Sequence, residues 1–167
     1  MFEEILQGRY EQWNGLPTQL TLEDLSRRLA PADLHPPQPR DRIATRYSVI
    51  QFERRSAPRL WEAWLPFASQ EVAIVEIEDP VCSDIEATLA AMGKPEIILE
   101  NQRLSADYIV REFVFPQRGI NLSVGDPLPS LSQRRSLLHV RLFPPSTLQR
   151  YVTDVGEPNP TMPHTHI

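Results

Sequence analysis

The chain has 167 residues, 41% of them hydrophobic, and a formal net charge of −5. This length fits a single domain with a buried core, and the negative charge argues against nucleic acid as the main partner. The single cysteine excludes an internal disulfide and a cysteine zinc cluster. No segment has the pattern of a secretion signal or the apolar length of a membrane span, so we expect a cytoplasmic protein without a membrane partner.

The first 30 residues are predicted to be helical. Apolar residues recur near helical spacing from Phe2 to Trp13, and Asn14 to Pro17 end that helix. Thr21 can cap a second helix over Leu22–Leu29, in which acids come first and arginines last. This order of charges suits the helix dipole.

Residues 31–42 contain four of the 17 prolines and are predicted to form an extended, polyproline-like connector. Such segments serve either as rigid linkers or as ligands for SH3 domains, and the linker is the commoner use. The connector separates the helical part from a part that we expect to form a sheet, residues 43–155.

Seven strands are predicted in the sheet-forming part, interrupted by one helix over Ser83–Met92 that Gly93 and Pro95 end. Alternation of apolar and polar residues supports the strands. They are Thr45–Phe52, Leu60–Leu65, Val72–Ile77, Glu96–Glu100, Tyr108–Phe115, Ile120–Val124 and Leu137–Phe143.

A short helix capped by Ser146 or Thr147 should follow and reach about Val155, and residues 156–167 are predicted to be a flexible tail. The pattern indicates an α+β class. We expect a single domain over residues 1–155 with a mostly antiparallel sheet of five to seven strands. The helix over Ser83–Met92 should pack on one face of this sheet through Ile85 and Leu89.

The segment from residue 83 to 143 has a distinctive order of predicted elements. A helix ends in Ala-Met-Gly-Lys-Pro at 91–95, an aromatic strand runs through 108–115, and Arg118-Gly119-Ile120 opens the next strand. This layout resembles small bacterial α+β modules that occur among immunity proteins of toxin systems and among accessory proteins. The resemblance implies a sheet module of bacterial origin. It transfers no functional residue.

The sequence contains few residue patterns that could support catalysis or metal binding. Cys82 precedes a helix start and has His139 as the nearest candidate base, and Glu76 and Glu78 share a strand face as a conceivable carboxylate pair. The pair His164 and His166 lacks further ligands nearby. A phosphate loop, a nucleophile elbow and a zinc-protease motif are all missing from the sequence. We therefore expect no catalytic residue, no metal and no cofactor.

Residues 60–93 carry seven acids and no Lys or Arg, and Trp61 and Trp64 lie three apart, on opposite faces of a strand. This segment predicts a docking surface for a basic protein, made of Trp61, Trp64, Glu71, Glu76, Glu78 and Asp79. The predicted function is a non-enzymatic immunity or inhibitor protein that occludes a basic toxin or effector. The alternatives are an accessory or chaperone-like component of a bacterial secretion or phage-like assembly, and an enzyme that uses Cys82 or surface carboxylates.

Overall fold

In a computed structural model, the described part of the chain comprises residues 16–17, 19–38, 47–55, 58–101, 108–128 and 134–155. Its eight strands form one antiparallel sheet in the order β1-β2-β3-β4-β8-β7-β6-β5. They are β1 (Asp33–Gln38), β2 (Tyr47–Glu53), β3 (Leu60–Pro66), β4 (Ile74–Glu78), β5 (Ile97–Asn101), β6 (Tyr108–Phe115), β7 (Ile120–Pro127) and β8 (Ser136–Leu142). The helices are α1 (Leu22–Leu29), α2 (Ile85–Met92) and α3 (Leu148–Arg150), with a 3-10 turn at Pro116–Arg118 and a π turn at Tyr151–Val155.

The sheet consists of two similar halves. Each half is a helix followed by a meander of four antiparallel strands, α1 with β1–β4 and α2 with β5–β8. The two meanders meet through their last strands, where Ile77 of β4 lies opposite Val140 of β8. Because this pairing is also antiparallel, the halves join into one continuous sheet, and the β4–β8 pair is the seam between them.

Side-chain caps fix where both longer helices begin. The Oγ1 of Thr21 accepts from the N–H of Asp24 at 3.1 Å, and the Asp24 carboxylate accepts from the N–H of Thr21, which makes a capping box. Asp84 caps α2 by accepting from the N–H of Ala87 at 2.9 Å. Gly93 follows α2 with a φ of +77°, a conformation that glycine adopts without a Cβ penalty.

All seven predicted strands are present, and the sheet gains an eighth from the segment predicted to be a connector. Asp33 pairs with Glu53 and His35 with Gln51, so β1 is an edge strand and not a polyproline linker. Pro36 and Pro37 cannot donate to a strand ladder, which edge strands tolerate, and the pairing is irregular between His35 and Gln38. The predicted helix over Phe2–Trp13 and the predicted tail over 156–167 lie outside the described residues.

Packing of the helices agrees with the prediction in most respects. Ile85 of α2 is buried as expected, but Leu89 is only half-buried, and Met92 is fully buried in its place. Thr147 caps α3 by accepting from the N–H of Arg150 at 3.3 Å, as predicted. No helix of the described part is long and apolar enough to cross a membrane.

The centre of the sheet is covered on both of its faces. The four consecutive residues from Ile74 to Ile77 are all buried, although neighbouring residues of a strand point to opposite sides. One face is almost wholly apolar at the centre, with Phe52, Trp61, Ile77, Val140 and Leu122 in its core. The other face, which includes Trp64 and Glu76, combines apolar and charged side chains and holds the candidate site.

Candidate functional site

Five polar side chains form a row across five neighbouring strands on the second face. They are cross-strand partners of one another in the order Gln51, Glu62, Glu76, Arg141 and Asn121. We call this set the polar row. Glu62, Glu76 and Asn121 are no more than 3% exposed. Since isolated charges are costly to bury, the contacts within the row determine whether it stabilises the protein.

Glu62 is held at one end of the row by neutral donors. The Nε2 of Gln51 donates to its Oε1 at 2.9 Å, and the indole N–H of Trp64 donates to its Oε2 at 3.2 Å. Both carboxylate oxygens are therefore hydrogen-bonded, as a buried carboxylate requires.

The centre of the row is a buried ion pair between Glu76 and Arg141. The Nε and Nη2 of Arg141 both lie 2.8 Å from Oε2 of Glu76. The guanidinium carbon is 4.8 Å from the centroid of the Trp64 ring, which adds a cation–π contact. Burial alone would lower the pKa of Arg141, but the carboxylates of Glu76 and Glu112 outweigh it and raise that pKa. Arg141 is thus a permanent cation here.

Asn121 continues the row toward the C-terminal turn. Its Nδ2 donates to Oε2 of Glu112 at 3.0 Å and to the hydroxyl oxygen of Tyr151 at 2.8 Å. Tyr151 is fully buried, with its ring centroid 5.0 Å from that of Phe143. Burial and the nearby Glu112 carboxylate raise the pKa of Tyr151, because both disfavour a buried phenolate.

Glu78 and His139 lie one step along the same face from the central ion pair. His139 is the cross-strand partner of Glu78, and its Nδ1 lies 3.6 Å from Oε1 of Glu76. Glu76, Glu78 and His139 each offer one ligand atom, and these atoms all lie within 4.8 Å of one another. This trio is the set of described residues that is suited to hold a metal ion.

The predicted docking surface is not assembled in the structure. Trp61 and Trp64 do face opposite sides of the sheet, but each is only 2% exposed, so neither is an accessible anchor. Glu76 is buried and paired with Arg141 rather than solvated. The expectation of a solvent-facing acidic strand was wrong because β8, which lies far away in the sequence, supplies a cation to that face.

The other predicted acids remain at the surface but are separated. Glu71 and Asp79 are exposed, and they lie before and after β4, at its two ends. Each residue of a strand advances about 3.3 Å, so the acids that are contiguous in the sequence cannot form one patch. Glu78 is half-buried at the same end of β4 as Asp79.

Exposed apolar side chains occur at both ends of β4. Val81 is 65% exposed and Phe67 is 54% exposed. Val81 belongs to the segment 79–86, a loop that continues into the first turn of α2, and we call this segment the acidic loop because it carries exposed Asp79, Asp84 and Glu86. The N–H of Asp79 donates to the carbonyl of Leu138 at 2.9 Å, and Asp79 has a φ of +45°. The loop is therefore anchored to β8 at its start and to the cap of α2 at its end.

A second ionic cluster occupies the other face, near α2. Arg135 contacts Glu86 at 2.9 Å and also Asp126, which in turn contacts Arg111. Arg111 donates to Glu100 at 2.8 Å, and this hydrogen bond is the main reason that the pKa of Arg111 is raised. The cluster ties α2 to β7, β6 and β5, and it partly neutralises Glu86 in the acidic loop.

Cys82 lies against the side chain of Thr88 in α2. It is half-buried, and its Sγ lies 3.6 Å from the Oγ1 of Thr88. No described contact joins Cys82 to His139, its predicted base.

A shallow open groove beside α1 contains none of the predicted site residues and is lined by Leu22, Glu23, Ser26, Arg27, Ala30 and Gln70.

The sequence reasoning missed the polar row as a unit. A signal for it is present in the sequence, because Glu62, Arg141 and Asn121 each interrupt an apolar strand.

Comparisons of the chain with protein-family models, with curated proteins and with solved structures found no match. The resemblance of residues 83–143 to immunity-type modules therefore stays a prediction.

Proposed function

We propose that the chain is a non-enzymatic protein-binding module, and specifically an immunity or inhibitor protein that occludes a basic bacterial toxin or effector. The observation that carries this proposal is the acidic loop. It presents Val81, the more exposed of the two large apolar side chains at the described surface, among the carboxylates of Asp79 and Asp84. An apolar anchor with a charged rim is the composition of a protein-binding hot spot.

Occlusion would follow from the shape and charge of this loop. Val81 enters an apolar pocket of the partner, and the surrounding carboxylates meet Lys or Arg on the pocket's rim. Complementary charge accelerates the encounter, while the buried apolar contact slows dissociation. The loop is held by the bond from Asp79 to Leu138 and by the Asp84 cap. Such pre-organisation lowers the entropy lost on binding.

Two alternatives remain as rival proposals. An enzyme that uses Cys82 or the carboxylates has less support, because Cys82 lies against Thr88 and Glu76 is bound to Arg141. An accessory component of a secretion or phage-like assembly would use the same acidic loop without inhibiting its partner. The activity of the captured partner separates this role from immunity.

The test is a capture experiment with the full chain immobilised and a lysate of the source organism as the sample. Val81→Asp removes the proposed anchor, and Phe67→Asp is the matched control at the other end of β4. Both sites are exposed, so both variants should keep the wild-type stability within about 0.5 kcal/mol. We expect V81D to lose a basic partner that the wild type and F67D retain.

The purified partner then decides between the roles. Inhibition of its activity by the wild type, and not by V81D, supports immunity, whereas binding without inhibition supports the accessory role. Capture by V81D equal to that by the wild type would exclude the acidic loop as the interface.

A further inference from the structure

Three potential metal ligands converge at the seam between the two halves of the sheet. Glu76 and Glu78 are two residues apart on β4 and therefore share a face. His139 of β8 lies directly opposite Glu78. The topology thus joins two carboxylates from the first half with one imidazole from the second half, and their ligand atoms lie within 4.8 Å of one another.

The Nδ1 of His139 is the unexplained atom of this trio. The atom itself is buried, although 37% of the His139 side chain is exposed, and it has no hydrogen-bond partner among the described residues. Its nearest acidic oxygen, Oε1 of Glu76, is 3.6 Å away, which is too far for a hydrogen bond. A buried ring nitrogen without a partner is unfavourable and calls for a ligand.

The same separation suits a bridging metal ion. Bonds from a zinc ion to an imidazole nitrogen and to a carboxylate oxygen are each about 2.0–2.2 Å long. Two such bonds span 3.6 Å when the angle at the metal is about 120°, which is near the tetrahedral value. The distance between His139 Nδ1 and Glu76 Oε1 is therefore too long for a hydrogen bond and matches two ligands of one metal ion.

Arg141 does not compete for the required oxygen. Both of its contacting nitrogens lie on Oε2 of Glu76, whereas Oε1 is the oxygen nearest His139. The ion pair would instead orient the carboxylate, as outer-shell partners of metal ligands commonly do.

We propose that Glu76, Glu78 and His139 form a divalent-metal site of the zinc class that clamps β4 to β8. Mixed imidazole and carboxylate ligands suit Zn²⁺ better than Mg²⁺ or Ca²⁺, which take oxygen ligands, and better than Cu(I), which prefers sulfur. Three protein ligands leave a fourth tetrahedral position for water. The site would stabilise the seam, because a ligand that binds only the folded state raises the free energy of unfolding.

The test uses the full chain with His164→Gln and His166→Gln, so that the C-terminal histidines cannot bind the probe. This protein is stripped with a chelator and titrated with ZnCl2 in a calorimeter. We expect one equivalent of Zn²⁺ to bind and the Tm to rise. Either Glu78→Gln or His139→Gln should weaken binding at least about tenfold, the lower end of what lost metal-site contacts cost.

Matched controls are Glu71→Gln and His35→Gln, which change an exposed acid and a half-exposed histidine away from the seam. These should bind Zn²⁺ like the parent. Circular dichroism confirms that each variant is folded, and because two ligands are tested separately, one unfolded variant still leaves a decisive result. Absence of saturable Zn²⁺ binding, or unchanged affinity in folded H139Q or E78Q, would overturn the proposal.

Discussion

Arg141 binds a single oxygen of Glu76 through two nitrogens, each 2.8 Å from Oε2, at the seam between β4 and β8. This contact is the main charged interaction that crosses the seam, and both side chains are largely buried, with 13% and 4% of their surface exposed. Removal of one partner leaves a buried charge without compensation. We therefore expect that breaking the pair lowers the free energy of unfolding strongly, whereas replacing both residues together by apolar ones changes it little.

The first prediction follows from this pair. Arg141→Met should lower the free energy of unfolding by about 3–5 kcal/mol, because Glu76 stays buried without its cation. Urea denaturation measures the change. The double variant Glu76→Leu with Arg141→Met should lose much less than the single variant, and Arg59→Met, at an exposed site, should change stability by less than about 0.5 kcal/mol. A neutral result for R141M would mean that the burial of Glu76 does not depend on Arg141.

Two glycines provide a matched pair for the second prediction. Gly93 and Gly119 both have positive φ, +77° and +67°. A Cβ on Gly93 would meet nothing within 4 Å, whereas one on Gly119 would lie 2.0 Å from the carbonyl oxygen of Phe143. We expect Gly93→Ala to cost about 1–3 kcal/mol from backbone strain alone, because its ψ of −158° lies in a region that is essentially restricted to glycine.

Gly119→Ala should cost clearly more than Gly93→Ala, because the turn must also move away from Phe143. The hydrogen bond from the N–H of Phe143 to the carbonyl of Gly119, 2.9 Å long, would be disturbed as well. Thermal unfolding of the two variants side by side measures the difference. Equal losses would show that the turn relaxes freely at this end of β7.

The third prediction concerns alkaline pH. The folded-state pKa of Tyr151 is raised, first by burial and then by the Glu112 carboxylate, above the ordinary tyrosine value of about 10. The unfolded chain therefore releases this proton more readily, so the contribution of Tyr151 to stability is complete below about pH 10 and is lost as the pH rises toward the folded-state pKa. Stability should fall above about pH 10.

Tyr151→Phe isolates this effect. It keeps the ring beside Phe143 but removes the hydroxyl that accepts from Asn121, at a cost of about 1 kcal/mol near neutral pH. Urea midpoints at about pH 8 and about pH 11 should then differ less in the variant than in the wild type. An identical loss in both proteins would assign the alkaline destabilisation to other groups.

The local elements of this fold were predictable, but the side-chain environments were not. Thr21 and Gly93 act within one or two helical turns, so the sequence reveals them directly, whereas the cap of α2 is Asp84 and the helix begins two residues after the predicted Ser83. The burial of Glu76 depends on Arg141, which is 65 residues away, and only the strand order brings the two together. Pairing of β4 with β8 rather than with the next strand along the chain is a tertiary fact that no local pattern contains.

Proline misled the interpretation of β1 for a related reason. Pro36 and Pro37 exclude a central strand, and an extended connector was the local alternative. An edge strand needs a partner on one side only, so β2 can supply it although the prolines donate no hydrogen bond. The prolines indicate an extended backbone. Whether that backbone forms a strand depends on a neighbouring strand, which the local sequence does not show.

The last prediction tests the charge of the acidic loop. Asp79→Asn together with Asp84→Asn removes two carboxylates while keeping the structure. Asparagine tolerates the positive φ of Asp79, and it caps a helix as well as aspartate does, so the cap of α2 survives. Charge reversal of Glu76 is unsuitable as a probe, because that side chain is buried and bound to Arg141.

For the partner captured by the wild type, this double variant should slow association more than it speeds dissociation, because rim charges act mainly on the encounter. The difference from the wild type should shrink near about 1 M salt, where the Debye length falls to roughly 3 Å. Glu71→Gln, at the opposite end of β4, is the control and should leave both rates unchanged. If E71Q slows association equally, the net charge of the protein steers the partner, and if neither variant changes the kinetics, the acidic loop makes no electrostatic contribution and binding rests on Val81 alone.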